Sequence, residues 1–178
     1  MKKAAAVFVA VAMAACAITG CQPKKKDISN AKVTQQKSDA YDSAIKECFE
    51  AMYSLGGAET FYSYMYPDAA LEAMKASGEY DKLSADFNDG QEKSLRDGKK
   101  YTFGGITEAK ELSDNQTEGV KNYFAELSSP FVALKEDELT INDGYEVKYK
   151  YLADGKEAGE ESVIVVSLND EGWKIITH

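Results

Sequence analysis

Residues 145–168 constrain this chain more than any other stretch. In "YEVKYKYL", Tyr145, Val147, Tyr149 and Tyr151 alternate with Glu146, Lys148 and Lys150. That is the period-two pattern of a strand buried on one side. "ESVIVVSL", 161–168, is uniformly apolar, as expected of a central strand. Asp154-Gly155 supplies a turn between the two, and "NDEG", 169–172, a second turn into "WKIITH". The C-terminal third therefore reads as an antiparallel sheet.

The segments before it read mainly as helices. Tyr41, Ile45, Cys48, Phe49 and Met52 form an apolar stripe at helical spacing, capped near Ser38 or Asp39 and ended by Gly56-Gly57. Cys48 lies on that stripe and is expected as a buried structural thiol. A short helix from Ala58 stops before Pro67, because the residue preceding proline is pushed out of the α region. Asp68 opens another, closed by Gly78, and Tyr80, Leu83, Phe87 and Leu95 mark a third that contains Gly90. "YTFGGITEAKEL" from Tyr101 reads as a strand with a bulge at Gly104-Gly105. "SDNQ", 113–116, is a capping-box signature opening a helix whose Val120, Tyr123, Phe124 and Leu127 share a face.

The N-terminus has another character. Lys2 and Lys3 precede an uncharged run from Ala4 to Gly20, which is short for a membrane span of roughly 20 apolar residues. It fits the apolar region of a secretory signal. The run ends Ile18-Thr19-Gly20-Cys21, which resembles the bacterial lipobox. The resemblance implies a signal peptide over 1–20 and a lipid-bearing, palmitate-type anchor on Cys21 as the mature N-terminus. Residues 21–37 are then the lipidated cysteine and a flexible tether, whose Lys24, Lys25 and Lys26 suit an anionic leaflet. The expected location is the cell membrane, lipid-anchored, on its extracytoplasmic face.

Residues 38–178 are expected as a single domain. Of the chain's 21 basic and 30 acidic residues, seven and one precede Ser38, so the domain holds 14 against 29 and carries a net −15. Nucleic acid is excluded as a partner, because phosphate binding needs clustered Lys and Arg. Cys48 is the domain's only cysteine, so no disulfide can form within it. His178, the last residue, is the only histidine, which removes Cys/His zinc sites and any triad with an internal His. "DFNDGQEKSLRD", 86–97, places Gly90 where a calcium loop needs a ligand, so no metal site and no cofactor is expected.

The amphipathic first helix, "GGAETFYSYMYPDAAL" and the ending "VIVVSLNDEGWKIITH" occur in an order that resembles the nuclear transport factor 2-like superfamily, also called SnoaL-like or ketosteroid-isomerase-like. The likeness is to the small bacterial lipoproteins of that group. It implies an α+β, cystatin-like cone: N-terminal helices packed on a curved antiparallel β-sheet, here with an extra helix between the first strand and the rest. That helix is expected to cap or occlude one end of the cone. Tyr62, Tyr66, Tyr149, Tyr151 and Trp173 are the candidate pocket lining. No residue of the superfamily's enzymes can be placed on this chain, so no catalytic residue is assigned. The expected function is therefore a non-catalytic module for a small apolar ligand or an envelope protein, monomeric or, as the resemblance implies, homodimeric through the outer sheet face. The alternatives are an isomerase- or dehydratase-like enzyme using the cone, and a structural subunit of an envelope complex.

Overall fold

The computed structural model describes residues 29–95 and 98–177. The proposed signal peptide, Cys21 and the first part of the tether lie outside the described residues. The helices are α1 (Ser29–Met52), α2 (Ala58–Met65), α3 (Asp68–Ser77), α4 (Glu79–Leu95) and α5 (Asp114–Ser128). The strands are β1 (Tyr101–Glu111), β2 (Ile141–Ala153), β3 (Lys156–Leu168) and β4 (Trp173–Thr177). They form one curved antiparallel sheet in the order β1-β2-β3-β4. The fold is α+β.

Helix boundaries follow local chemistry. Tyr66 ends α2 in extended conformation because Pro67 follows it. Gly78 closes α3 in the left-handed region. Ser113 and Gln116 close the capping box of α5 in both directions, at 3.0 and 3.4 Å. The β2–β3 turn has positive φ at Asp154 and Gly155, the geometry that matches strand twist in a two-residue hairpin. The β1–β2 register shifts between Phe103 and Gly105, at the expected bulge.

Two findings depart from the sequence reading. α1 begins at Ser29, so residues 29–37, expected as coil, are helical. Those residues contain no Gly or Pro, so nothing stops the helix from extending back from its docked part. The second departure concerns α5. It lies across the face of the sheet opposite α1 instead of closing an end of the cone. On one face, Tyr41, Ile45, Cys48 and Phe49 of α1 pack on Val147, Tyr149, Val163, Val165 and Ile175. On the other, Val120 and Phe124 of α5 pack with Ile164, Val166, Leu168 and Ile176. β3 is therefore covered on both sides, which is why its apolar run does not alternate.

Candidate functional site

The concave face of the sheet is filled by the protein's own rings. Phe49 lies 5.8 Å from Tyr149, 6.1 Å from Tyr151 and 6.5 Å from Phe103, centroid to centroid. Among the described residues, a void of about 20 Å³ lies between these rings, bordered by Ile45, Cys48, Phe49, Met52 and Tyr149. Such a void holds one water at most. Burial pushes the Cys48 thiol up to about 12. The Tyr149 phenol is pushed up by burial and by its 2.8 Å hydrogen bond to Glu161, a carboxylate on the concave face.

The five candidate aromatics fall into three groups. Tyr62 and Tyr66 are 6.1 Å apart, and Tyr62 packs on Phe87 of α4 while Tyr66 meets Phe131. The Tyr62 hydroxyl donates to the Leu83 carbonyl at 3.4 Å, and burial raises that phenol to about 12. Tyr149 and Tyr151 both lie against Phe49 within the cone. Trp173 packs edge-on against Tyr41 and beside Tyr145, and it also forms a wall of a surface cleft.

That cleft, about 390 Å³, lies between α1, α2 and the β3–β4 hairpin. Its floor is built around Lys174, whose side chain is only 2 % exposed. The ammonium donates to the Asp68 carboxylate at 2.7 Å and to the Ser63 carbonyl at 3.0 Å, and Glu171 stands 3.6 Å away. Glu171 in turn accepts from the Asp68 backbone N–H at 2.9 Å, so the hairpin tip caps the first turn of α3. Across the cleft, the Tyr64 hydroxyl donates to Glu47 of α1 at 2.6 Å. Burial and that bond push the Tyr64 phenol well up. Three carboxylates and one fully engaged ammonium thus converge from four segments beside an indole.

Lys174 was not singled out from the sequence, although a signal exists. It shares a strand face with Ile176 and pairs with Val166, so strand alternation assigns it an inward position. A lysine there needs partners.

A larger cleft of about 450 Å³ lies between Glu50, Tyr53 and Ser54 at the end of α1 and residues 98–102. Tyr53 and Tyr101 form one wall at 4.8 Å, but Lys99 and Lys100 on its rim are exposed. The outer sheet face, opposite α1, carries a lattice of opposite charges across β1, β2 and β3. Lys148 pairs with Glu108 and Lys150 with Glu157, each at 2.8 Å, and Thr107 donates to Glu160 at 2.9 Å. Compared with family models, curated proteins and solved structures, the chain matches none.

Proposed function

We propose that this protein is a lipid-anchored, extracytoplasmic binding module of the nuclear transport factor 2-like kind, without catalytic chemistry. It engages its partner through the surface cleft over Lys174 instead of the cone interior. The observation that carries the reading is a contrast in space and order: the void between Phe49 and Tyr149 is about 20 Å³, against about 390 Å³ in the cleft, whose polar groups are held by Lys174 and Tyr64, whereas the 450 Å³ cleft beside Tyr53 is rimmed by the exposed Lys99 and Lys100. An isomerase-like role would require a substrate where Phe49 and Tyr149 now meet. The α+β arrangement, with α1 against a curved four-stranded sheet, supports the superfamily resemblance. For the anchor, the support is the lipobox itself, Ile18 to Cys21. Among the described residues no helix is long and apolar enough to cross a membrane. Two surfaces favour binding at the cleft over pairing of two copies through the outer sheet face. α5 covers part of that face, and internal ion pairs occupy much of the remainder.

The test is native mass spectrometry of the membrane-extracted protein after incubation with the producer's own cell extract, alongside fractionation of Cys21→Ser. A reproducible bound species, and release of the variant from membranes, are expected. A bare protein, or a variant processed and retained like the wild type, overturns the corresponding half of the reading.

A further inference from the structure

β3 is 13 residues long, but β4, its neighbour on one side, has only five. β4 pairs with residues 163–167 and stops at Thr177, opposite Val163. On its other side β3 is paired with β2 over its whole length, Lys156 to Leu168. Residues 156–162 are therefore an open edge about 23 Å long. Alternate residues there turn their N–H and C=O groups away from β2. Among the described residues, nothing hydrogen-bonds to those outward groups. The side chains are bare as well: Lys156, Glu157, Ala158, Glu160 and Glu161 are all exposed. An unpaired row of this kind is the template on which extended peptides add to sheets. We infer that this edge takes an added strand, an extended segment of a partner protein that carries two consecutive basic residues. The inference goes beyond the reading above, because it uses the backbone of β3 and not the cleft over Lys174.

Charge selects the occupant. Consecutive strand residues point to opposite faces, so Glu161 shares the concave face with Val163 while Glu160 stands on the outer face. Each accepts from a neutral hydroxyl, Glu161 from Tyr149 at 2.8 Å and Glu160 from Thr107 at 2.9 Å, and so keeps its charge. Lys148 and Lys150 also stand near Glu160, but their ammoniums are bound to Glu108 and Glu157 at 2.8 Å. A strand laid antiparallel along this edge continues the row of β4, and its residues opposite Glu161 and Glu160 share their respective faces. Two adjacent Lys or Arg side chains then meet one carboxylate each. An acidic segment is repelled by the same pair. A second copy of the chain fits poorly: antiparallel pairing about Gly159 sets Glu157 of each copy against Glu161 of the other, and like charges directly opposite are destabilising.

The probe is a fluorophore-labelled hexapeptide, Thr-Val-Lys-Arg-Val-Thr, titrated against the membrane-extracted full chain by fluorescence anisotropy. Saturable binding is expected, and none when Glu-Glu replaces Lys-Arg. Hydrogen exchange read by mass spectrometry should slow at residues 156–162. Two further peptides carry N-methyl groups at their odd or their even positions. An added strand turns alternate N–H groups to the edge, so one of the two should lose binding and the other keep it. Replacing both acids, Glu160→Gln with Glu161→Gln, should weaken binding about tenfold, the worth of two exposed cross-strand ion pairs. The unfolding midpoint of that variant should stay that of the wild type, since both positions are exposed and Gln still accepts from Thr107 and Tyr149. Equal binding of both N-methylated peptides shows attraction by charge alone and overturns the inference. So do the absence of saturation, slowed exchange outside 156–162 only, or wild-type affinity in the double variant. Exchange at 156–162 that slows with protein concentration in the absence of peptide makes the edge a self-association surface, which overturns it too.

Discussion

The two halves of the Lys174–Asp68 pair differ sharply in exposure, and that asymmetry predicts which one can be removed. Lys174 is 2 % exposed and Asp68 60 %. Lys174→Met puts an apolar chain of similar length into the same space and returns Asp68 to water. It leaves the Ser63 carbonyl without its donor, which costs about 1–3 kcal/mol for a buried acceptor. Removing the ammonium's desolvation penalty, several kcal/mol for a buried ion, offsets much of this. The net loss should be about 1 kcal/mol. Asp68→Ala does the opposite and strands a buried ammonium between the Ser63 carbonyl and Glu171 at 3.6 Å. One-sided removal of a buried pair costs about 3–5 kcal/mol, and the remaining Glu171 places this case near 3. The double variant has no stranded charge and should resemble Lys174→Met, giving a coupling of about 3 kcal/mol. Thermal unfolding followed by circular dichroism reads this directly. A domain of this size shifts about 2–4 °C per kcal/mol, so Asp68→Ala should lose about 6–12 °C and Lys174→Met about 2–4 °C. Equal losses from the two single variants, or strict additivity in the double, would refute the account of Lys174 as a desolvated ion held by Asp68.

Further outcomes are expected at three positions, Cys48, Gly57 and Gly90. Cys48 is held up at about 12 by burial against an ordinary value of 9.0, so its contribution to stability is complete below about pH 9 and falls as pH rises towards 12, where the unfolded chain ionises first. With Cys16 and Cys21 replaced by serine, the thiol should react with DTNB at pH 8 only at the rate of unfolding; free-thiol rates would refute its burial. Gly57→Ala should cost about 3 kcal/mol, because the added Cβ falls on the Ala51 carbonyl oxygen, a backbone atom that cannot swing away. Gly90→Ala, with open space around it in α4, should gain up to about 1 kcal/mol in the same denaturation assay.

What was legible in the sequence is what short-range chemistry decides. Pro67, Gly78, the Ser113–Gln116 box and Asp154-Gly155 each act within a few residues, and each does in the structure what its residue type requires. The stripe from Tyr41 to Met52 was readable because helical spacing alone groups its residues. The placement of α5 was not, because amphipathicity says that a helix needs a partner and not which face supplies it. The two-sided apolar run in β3 was the clue, since Ile164, Val166 and Leu168 require a second cover beyond α1. The aromatic cluster at 61–66 was legible as two i,i+4 pairs but not as separate destinations. Its Tyr62 and Tyr66 meet Phe87 and Phe131, residues more than 20 positions away or in a loop that periodicity does not describe. Lys174 stayed hidden because its partners, Ser63 and Asp68, lie over 100 residues upstream.

Both faces of the sheet are covered along the C-terminal half of β3, and the β1 and β4 edges are closed in different ways. The β1 edge is eleven residues long, but its register shifts and the left-handed Gly105 interrupt the row of backbone groups that another strand would need. The β4 edge is only five residues long and has α2 against it. Lys174 spans that junction, binding the Ser63 carbonyl on α2 and Asp68 at the start of α3. The same ammonium that closes one sheet edge therefore orients the carboxylates of the cleft beside it. Its cost in desolvation is understandable if the cleft must keep a fixed geometry, which an apolar residue at 174 could not impose. The stability cycle and the mass-spectrometric binding assay separate the two roles. Lys174→Met should retain most of the fold's stability yet lose the ordered wall, so binding should fall far more than the unfolding midpoint.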